Sequence, residues 1–132
     1  MLAMQSRRGL LRGLVRETVN RQQRRTAGRP GARAALIRHC GRRTGRTYET
    51  PVTPAPTGDG FVIALPFGDR ADWVRNVVAA GEATLVLDGI AYRLVRPEIV
   101  PMHVVVGYFG PGDRRVHRRF GVRQCVRLSL SD

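Results

Sequence analysis

The chain contains no lysine: all 23 of its basic residues are arginine. Such uniformity points to a compositional bias at least as much as to selection for a basic face. It has only two cysteines, Cys40 and Cys125, too few for a disulfide framework, and neither stands in a metal-ligand spacing. Both fall in strand-like runs and read as small buried thiols, which fits a reducing cytoplasm. No apolar run approaches the length of a membrane span. Arg7, Arg8, Arg12 and Arg16 interrupt any signal-peptide core at the N-terminus. His39, His103 and His117 form no triad or metal motif, and there is no Walker loop, HExxH or Ser-His-Asp pattern.

What remains is one domain's length, 132 residues, with a formal net charge of +13. The charge is lopsided. Residues 1–50 hold 13 arginines against Glu17 and Glu49, whereas residues 51–132 hold ten arginines against eight carboxylates. A local excess of this kind suits a phosphate or an anionic surface better than a duplex footprint, so nucleic acid is not the expected partner. Residues 1–30 read as a basic amphipathic helix and linker, with Leu10, Leu11, Leu14, Val15 and Val19 on one side. That helix has two readings: a stripe packed on the body of the protein, or a peripheral contact with an anionic membrane.

Residues 31–132 read as the folded body. Strands are expected over 34–40, 47–53, 61–65, 83–87, 90–96 and 122–130. In the second, Tyr48, Thr50 and Val52 alternate with Thr47, Glu49 and Pro51, and Pro51 predicts an edge position. Residues 54–60 read as a turn and Asp88-Gly89 as a type I′ hairpin. A helix capped by Asp69 or Asp72 should run to about Ala80, with Trp73, Val74, Val77 and Val78 inward and Gly81 ending it. Pro97 should close the second hairpin. Residues 101–120 read as irregular or weakly helical, broken at Gly110-Pro111-Gly112. Six antiparallel strands around one short helix make a mainly β fold, best met by a small barrel.

Two segments carry chemistry. The turn Gly41-Arg42-Arg43-Thr44-Gly45-Arg46 offers tight backbone, a hydroxyl and three guanidinium groups, enough to hold a phosphodiester, although a solvated basic hairpin fits the same residues. Pro66-Phe67-Gly68 gives a loop whose backbone can approach a flat ligand. Trp73 and Asn76, three apart on one helical face, supply an indole and a carboxamide. Packing alone also accounts for both. Tyr108, beside Phe109, is a candidate pocket residue or proton donor.

Taken in order, the basic turn, Pro51-Val52, the run Phe61–Leu65, Trp73-x-x-Asn76 and the run Ala79–Leu87 resemble the deazaflavin-dependent nitroreductase family. The resemblance covers roughly residues 36–95. It implies a split β-barrel that binds coenzyme F-420 and passes hydride from its reduced form to a small unsaturated or nitro-bearing substrate. It places Arg43, Thr44 and Gly45 toward the phosphate end of the cofactor tail, and Pro51, Val52, Ala64 and Leu65 along the deazaflavin. The resemblance also sets Trp73 and Asn76 over the phosphate and ring region. Pro66, Phe67 and Gly68 complete the expected contacts. The chain departs from the family at Tyr48, where many members carry a basic residue, and at Pro66-Phe67, where many carry a charged pair. Arg46 and Arg70 are the expected replacements. FMN or a tetrapyrrole on the same fold, a cofactor carrier without turnover, and a basic membrane or nucleic-acid adaptor remain alternatives. A homodimer through Val104-Val105-Val106 is a further expectation.

Overall fold

The computed structural model describes residues 35–132. The N-terminal helix expected over residues 1–30 lies outside the described residues. Seven antiparallel strands form one sheet: β1 (Ala35–Cys40), β2 (Thr47–Val52), β3 (Pro54–Pro56), β4 (Gly60–Leu65), β5 (Glu82–Leu87), β6 (Ile90–Pro101) and β7 (Gln124–Leu130). Helix α1 (Asp72–Ala80) joins β4 to β5, and α2 (Met102–Val105) and α3 (Pro111–Arg119) join β6 to β7.

Strand order shows that the sheet curls. In the order β2-β1-β5-β6-β7-β4-β3, the two edges are strands separated in the chain by Thr53 alone. The edges of a flat seven-stranded sheet lie ~29 Å apart at the usual spacing, whereas one residue spans at most ~3.6 Å. The sheet must therefore wrap until its edges meet, which makes a barrel split along the β2/β3 seam.

Two apolar clusters follow from the period-two alternation of the strands. Ile37, Phe61, Ile63, Leu65, Leu85, Leu94, Val126 and Leu128 fill the interior with Val74 and Val77 of α1. Alternate residues of the same strands, Val62, Ala64 and Cys125, face outward and are covered by Val100, Met102, Val105 and Phe109. Each valine so buried contributes about 1.5–3 kcal/mol relative to exposure.

Several expectations are corrected. Residues 54–60 are not all turn, because Pro54–Pro56 pairs with Phe61–Ile63. In an edge strand alternate residues direct N–H away from the partner, so prolines two apart are tolerated there. Pro51 also stands on an edge strand, as its missing N–H requires. Neither Asp69 nor Asp72 caps α1: the cap position is Ala71 with no side-chain hydrogen bond, and Asp69 sits in a 3-10 turn, Gly68–Arg70. Asp72 is instead the first helical residue, where its charge opposes the helix dipole. Val78 faces solvent and Asn76 takes the buried place on that face. Gly81 ends the helix in the left-handed region, its N–H donating to Val77 O.

The hairpin at Asp88-Gly89 has both residues at positive φ, +54° and +78°. Pro97 does not end it. β6 continues to Pro101 through a bulge between Val95 and Glu98, with Arg96 at φ +56°. Gly110-Pro111 starts α3 rather than breaking a helix, since proline suits a first helical turn. Cys125 is buried, but Cys40, at the end of β1, is exposed. No described helix is long and apolar enough to cross a membrane.

Candidate active site

The inner rows of β1 and β2 change character along their length. Ala35 pairs with Val52 and Ile37 with Thr50, and His39 pairs with Tyr48 at the barrel mouth. Beyond His39 the chain enters the basic turn, which hydrogen bonds close from Gly41 N to Arg46 O (2.7 Å) and from Gly45 N to Gly41 O (2.9 Å). Gly45 takes φ +72°. A Cβ on Gly41 would lie 2.6 Å from Thr44 Oγ1 and 2.7 Å from a Tyr48 ring carbon, so only glycine lets the turn fold back this closely.

The turn is fastened to α1 through Asn76. Its Oδ1 accepts from the Arg42 main-chain N–H (3.1 Å) and from Arg42 Nη1 (2.8 Å). Arg42 also pairs with Asp72 at 3.4 Å. With Oδ1 so engaged, Asn76 Nδ2 donates to His39 Nδ1 at 3.1 Å. His39 Nδ1 is then the unprotonated nitrogen, and Nε2–H donates to Thr50 Oγ1 at 3.0 Å. Burial holds the His39 imidazole below its ordinary pKa, which favours this neutral tautomer. Tyr48 stacks on His39, with centroids 5.9 Å apart, and its hydroxyl meets Thr44 Oγ1 at 3.1 Å.

Around this network lies a cavity of about 520 Å³. Arg43, Thr44, Trp73 and Asn76, four residues singled out in the sequence, line it together. His39, Arg42, Tyr48 and Thr50 join them. Of these, the sequence singles out Arg42 as part of the basic turn, whereas it gives His39, Tyr48 and Thr50 no site role. One signal was present in His39, an inward-facing polar residue in an otherwise apolar row, next to the basic turn. Arg43 is exposed and forms no ion pair among the described residues.

The other sequence-predicted residues lie elsewhere. Val52 and Leu65 are in the barrel core and Ala64 in the outer cluster. Pro51, Pro66 and Phe67 are exposed, as are Gly45, Arg46 and Arg70. The Gly68 N–Cα segment begins the turn that precedes α1. Tyr108 is half-exposed under the Arg127 guanidinium, 5.7 Å from its ring centroid, and Phe109 is a core residue. Of the valine run, Val105 is buried while Val104 and Val106 face solvent.

The cavity suits a ligand with an anionic tail and a flat ring. It combines a guanidinium with no ion pair among the described residues, a hydroxyl, a turn fastened from behind and an indole wall. A family model described as F420H(2)-dependent quinone reductase matches residues 14–92. The chain belongs to this family. It is a deazaflavin-dependent oxidoreductase. The family is defined by F-420, and the FMN alternative finds no support in the match. No curated protein matches the chain.

Proposed function

We propose that this quinone-reductase family member transfers hydride from reduced F-420 to a quinone or a similarly conjugated or nitro-bearing small molecule. The family description supports the acceptor class. The cavity beside the clamped basic turn carries the assignment of the cofactor site. There Arg43 and the Thr44 hydroxyl are placed to receive the phosphodiester of the tail. Trp73 offers an apolar face to a ring system. Asn76 acts one step back: both its polar atoms are spent on Arg42 and His39, so it holds the turn in place rather than binding a ligand. Pro51, Gly45, Arg46, Arg70 and the Pro66–Gly68 loop do not line this cavity, and their proposed contacts rest on the family resemblance alone.

When bound, reduced F-420 supplies the hydride from its own reactive carbon. The protein's part is to fix the ring, leave one face open to the acceptor and limit water. The proton that completes the hydroquinone would come from solvent or from the reduced cofactor, which loses one on oxidation, so no described residue of the cavity has to ionise, in keeping with a neutral His39. The test is turnover: the purified chain with reduced F-420 and a simple water-soluble quinone, followed by return of the oxidised-cofactor absorbance, with a nitroarene in parallel. Oxidation by the quinone is expected. Cofactor binding without oxidation by either acceptor would refute the acceptor class while leaving the site standing.

A further inference from the structure

A second cavity, of about 510 Å³, lies between α2, α3 and the segment entering β7. It shares no lining residue with the first, and its size falls within the usual range for small-molecule sites. Met102, Val106 and Val122 form an apolar wall, and Met102 belongs to the outer core cluster. Arg114, Arg118 and Arg123 stand on the polar side, and no carboxylate lines the cavity.

Two buried polar atoms in this lining have no hydrogen-bond partner among the described residues: Arg114 Nε and His117 Nδ1. The His117 residue is 7% exposed, and its ring meets Phe109 edge-on with centroids 4.7 Å apart. Arg114 and His117 are three apart, on one face of α3. A buried guanidinium N–H without an acceptor is costly, and an anionic oxygen is the group that relieves it most. A neighbouring imidazole can donate to the same oxygen.

We propose that this cavity binds a small amphipathic anion, an aliphatic chain or flat apolar ring ending in one carboxylate or phosphate. The anionic group sits against Arg114 and His117, with Arg118 and Arg123 around it, and the apolar part lies along Met102, Val106 and Val122. The site does not depend on the hydride-transfer reading. Burial lowers the His117 pKa and Asp113 opposes that shift, so a bound anion should move the titration upward. His103, Arg118 and Arg123 are the other charged or titratable groups lining the cavity.

The experiment is calorimetry on the full chain with monomeric decanoate, decyl phosphate and decanol, with vesicles of phosphatidylglycerol as a separate arm. The two anions should bind one to one and at least tenfold tighter than decanol. Decanoate should raise the His117 pKa in a ring-proton NMR titration. Arg114→Gln, at a half-exposed position, should weaken decanoate at least tenfold and leave F-420 affinity unchanged. His117→Phe, which keeps the packing on Phe109, should also weaken it. Equal binding of decanol and decanoate would overturn the proposal, as would wild-type affinity in a folded Arg114→Gln variant. Binding to vesicles without binding of monomeric decanoate would place the arginines at a surface rather than around a ligand, and would overturn it too.

Discussion

One carboxamide oxygen, Asn76 Oδ1, accepts from both the main chain and the guanidinium of Arg42, at 3.1 and 2.8 Å. This pair joins the basic turn to α1 across 34 residues of sequence. Replacing Asn76 by alanine frees two donors of Arg42 and strips the buried His39 Nδ1 of its partner. Loss of about 1–3 kcal/mol of stability is expected, read from urea denaturation. F-420 affinity should fall with it, because the turn loses its anchor. Unchanged stability would show that the amide is not holding the turn.

Gly41→Ala tests the close approach of the turn to Tyr48. The added methyl meets Thr44 and Tyr48 at distances that require something to move. The turn is at the surface, so global stability should fall modestly, by about 1–2 kcal/mol. F-420 affinity should fall by a larger factor. Comparing the urea midpoint with a cofactor titration separates the two effects.

The pH dependence of stability has a sign at each end. His39 and His117 are held below their ordinary value of 6.5 by burial. As pH falls below 6.5, the unfolded chain takes up protons that the folded chain resists, so stability falls. Burial pushes the Cys125 thiol up from 9.0 to about 11. As pH rises above 9.0, the unfolded chain ionises that thiol first, and stability falls again. Urea midpoints across pH should therefore form a plateau between these limits. His39→Gln should flatten the acid limb, and an unchanged limb would remove His39 from it.

Arg96 sits at φ +56° in the β6 bulge, a region that costs a non-glycine residue roughly 1–2 kcal/mol. Part of any gain from glycine is offset by its greater freedom in the unfolded chain. Arg96→Gly should keep or raise stability by up to ~1 kcal/mol, whereas Arg96→Val should lower it, because a β-branched side chain resists this backbone. Thermal melts of both variants check the pair.

How much of this was legible in the sequence depends on the range of the cause. Asp88-Gly89 declared its hairpin because turn chemistry is local. Pro51 declared an edge because one missing N–H constrains one strand. Pro54 and Pro56 hid a strand, since their compatibility with an edge depends on which way each N–H points. Gly110-Pro111 read as a breaker because the same dipeptide opens a helix as readily as it ends one. Arg43, Thr44, Trp73 and Asn76 could be singled out from residue type and order. The role of Asn76 could not, because its partners Arg42 and His39 lie 34 and 37 residues away and only barrel closure brings them together. The Arg114–His117 cavity was equally hidden, as it arises where α3 packs on Phe109 beside α2 and the segment entering β7.

The central claim is that the cavity beside the basic turn holds the phosphate-bearing tail of F-420. A fluorescence titration of F-420 against wild-type protein and Arg43→Gln tests it most directly, with FMN as control. Arg43 is exposed and unpaired among the described residues, so the substitution should leave the melting temperature unchanged. The expected result is selective binding of F-420, weakened about tenfold or more in the variant, as loss of one charge-assisted hydrogen bond implies. Wild-type affinity in Arg43→Gln, or equal binding of FMN, would contradict it.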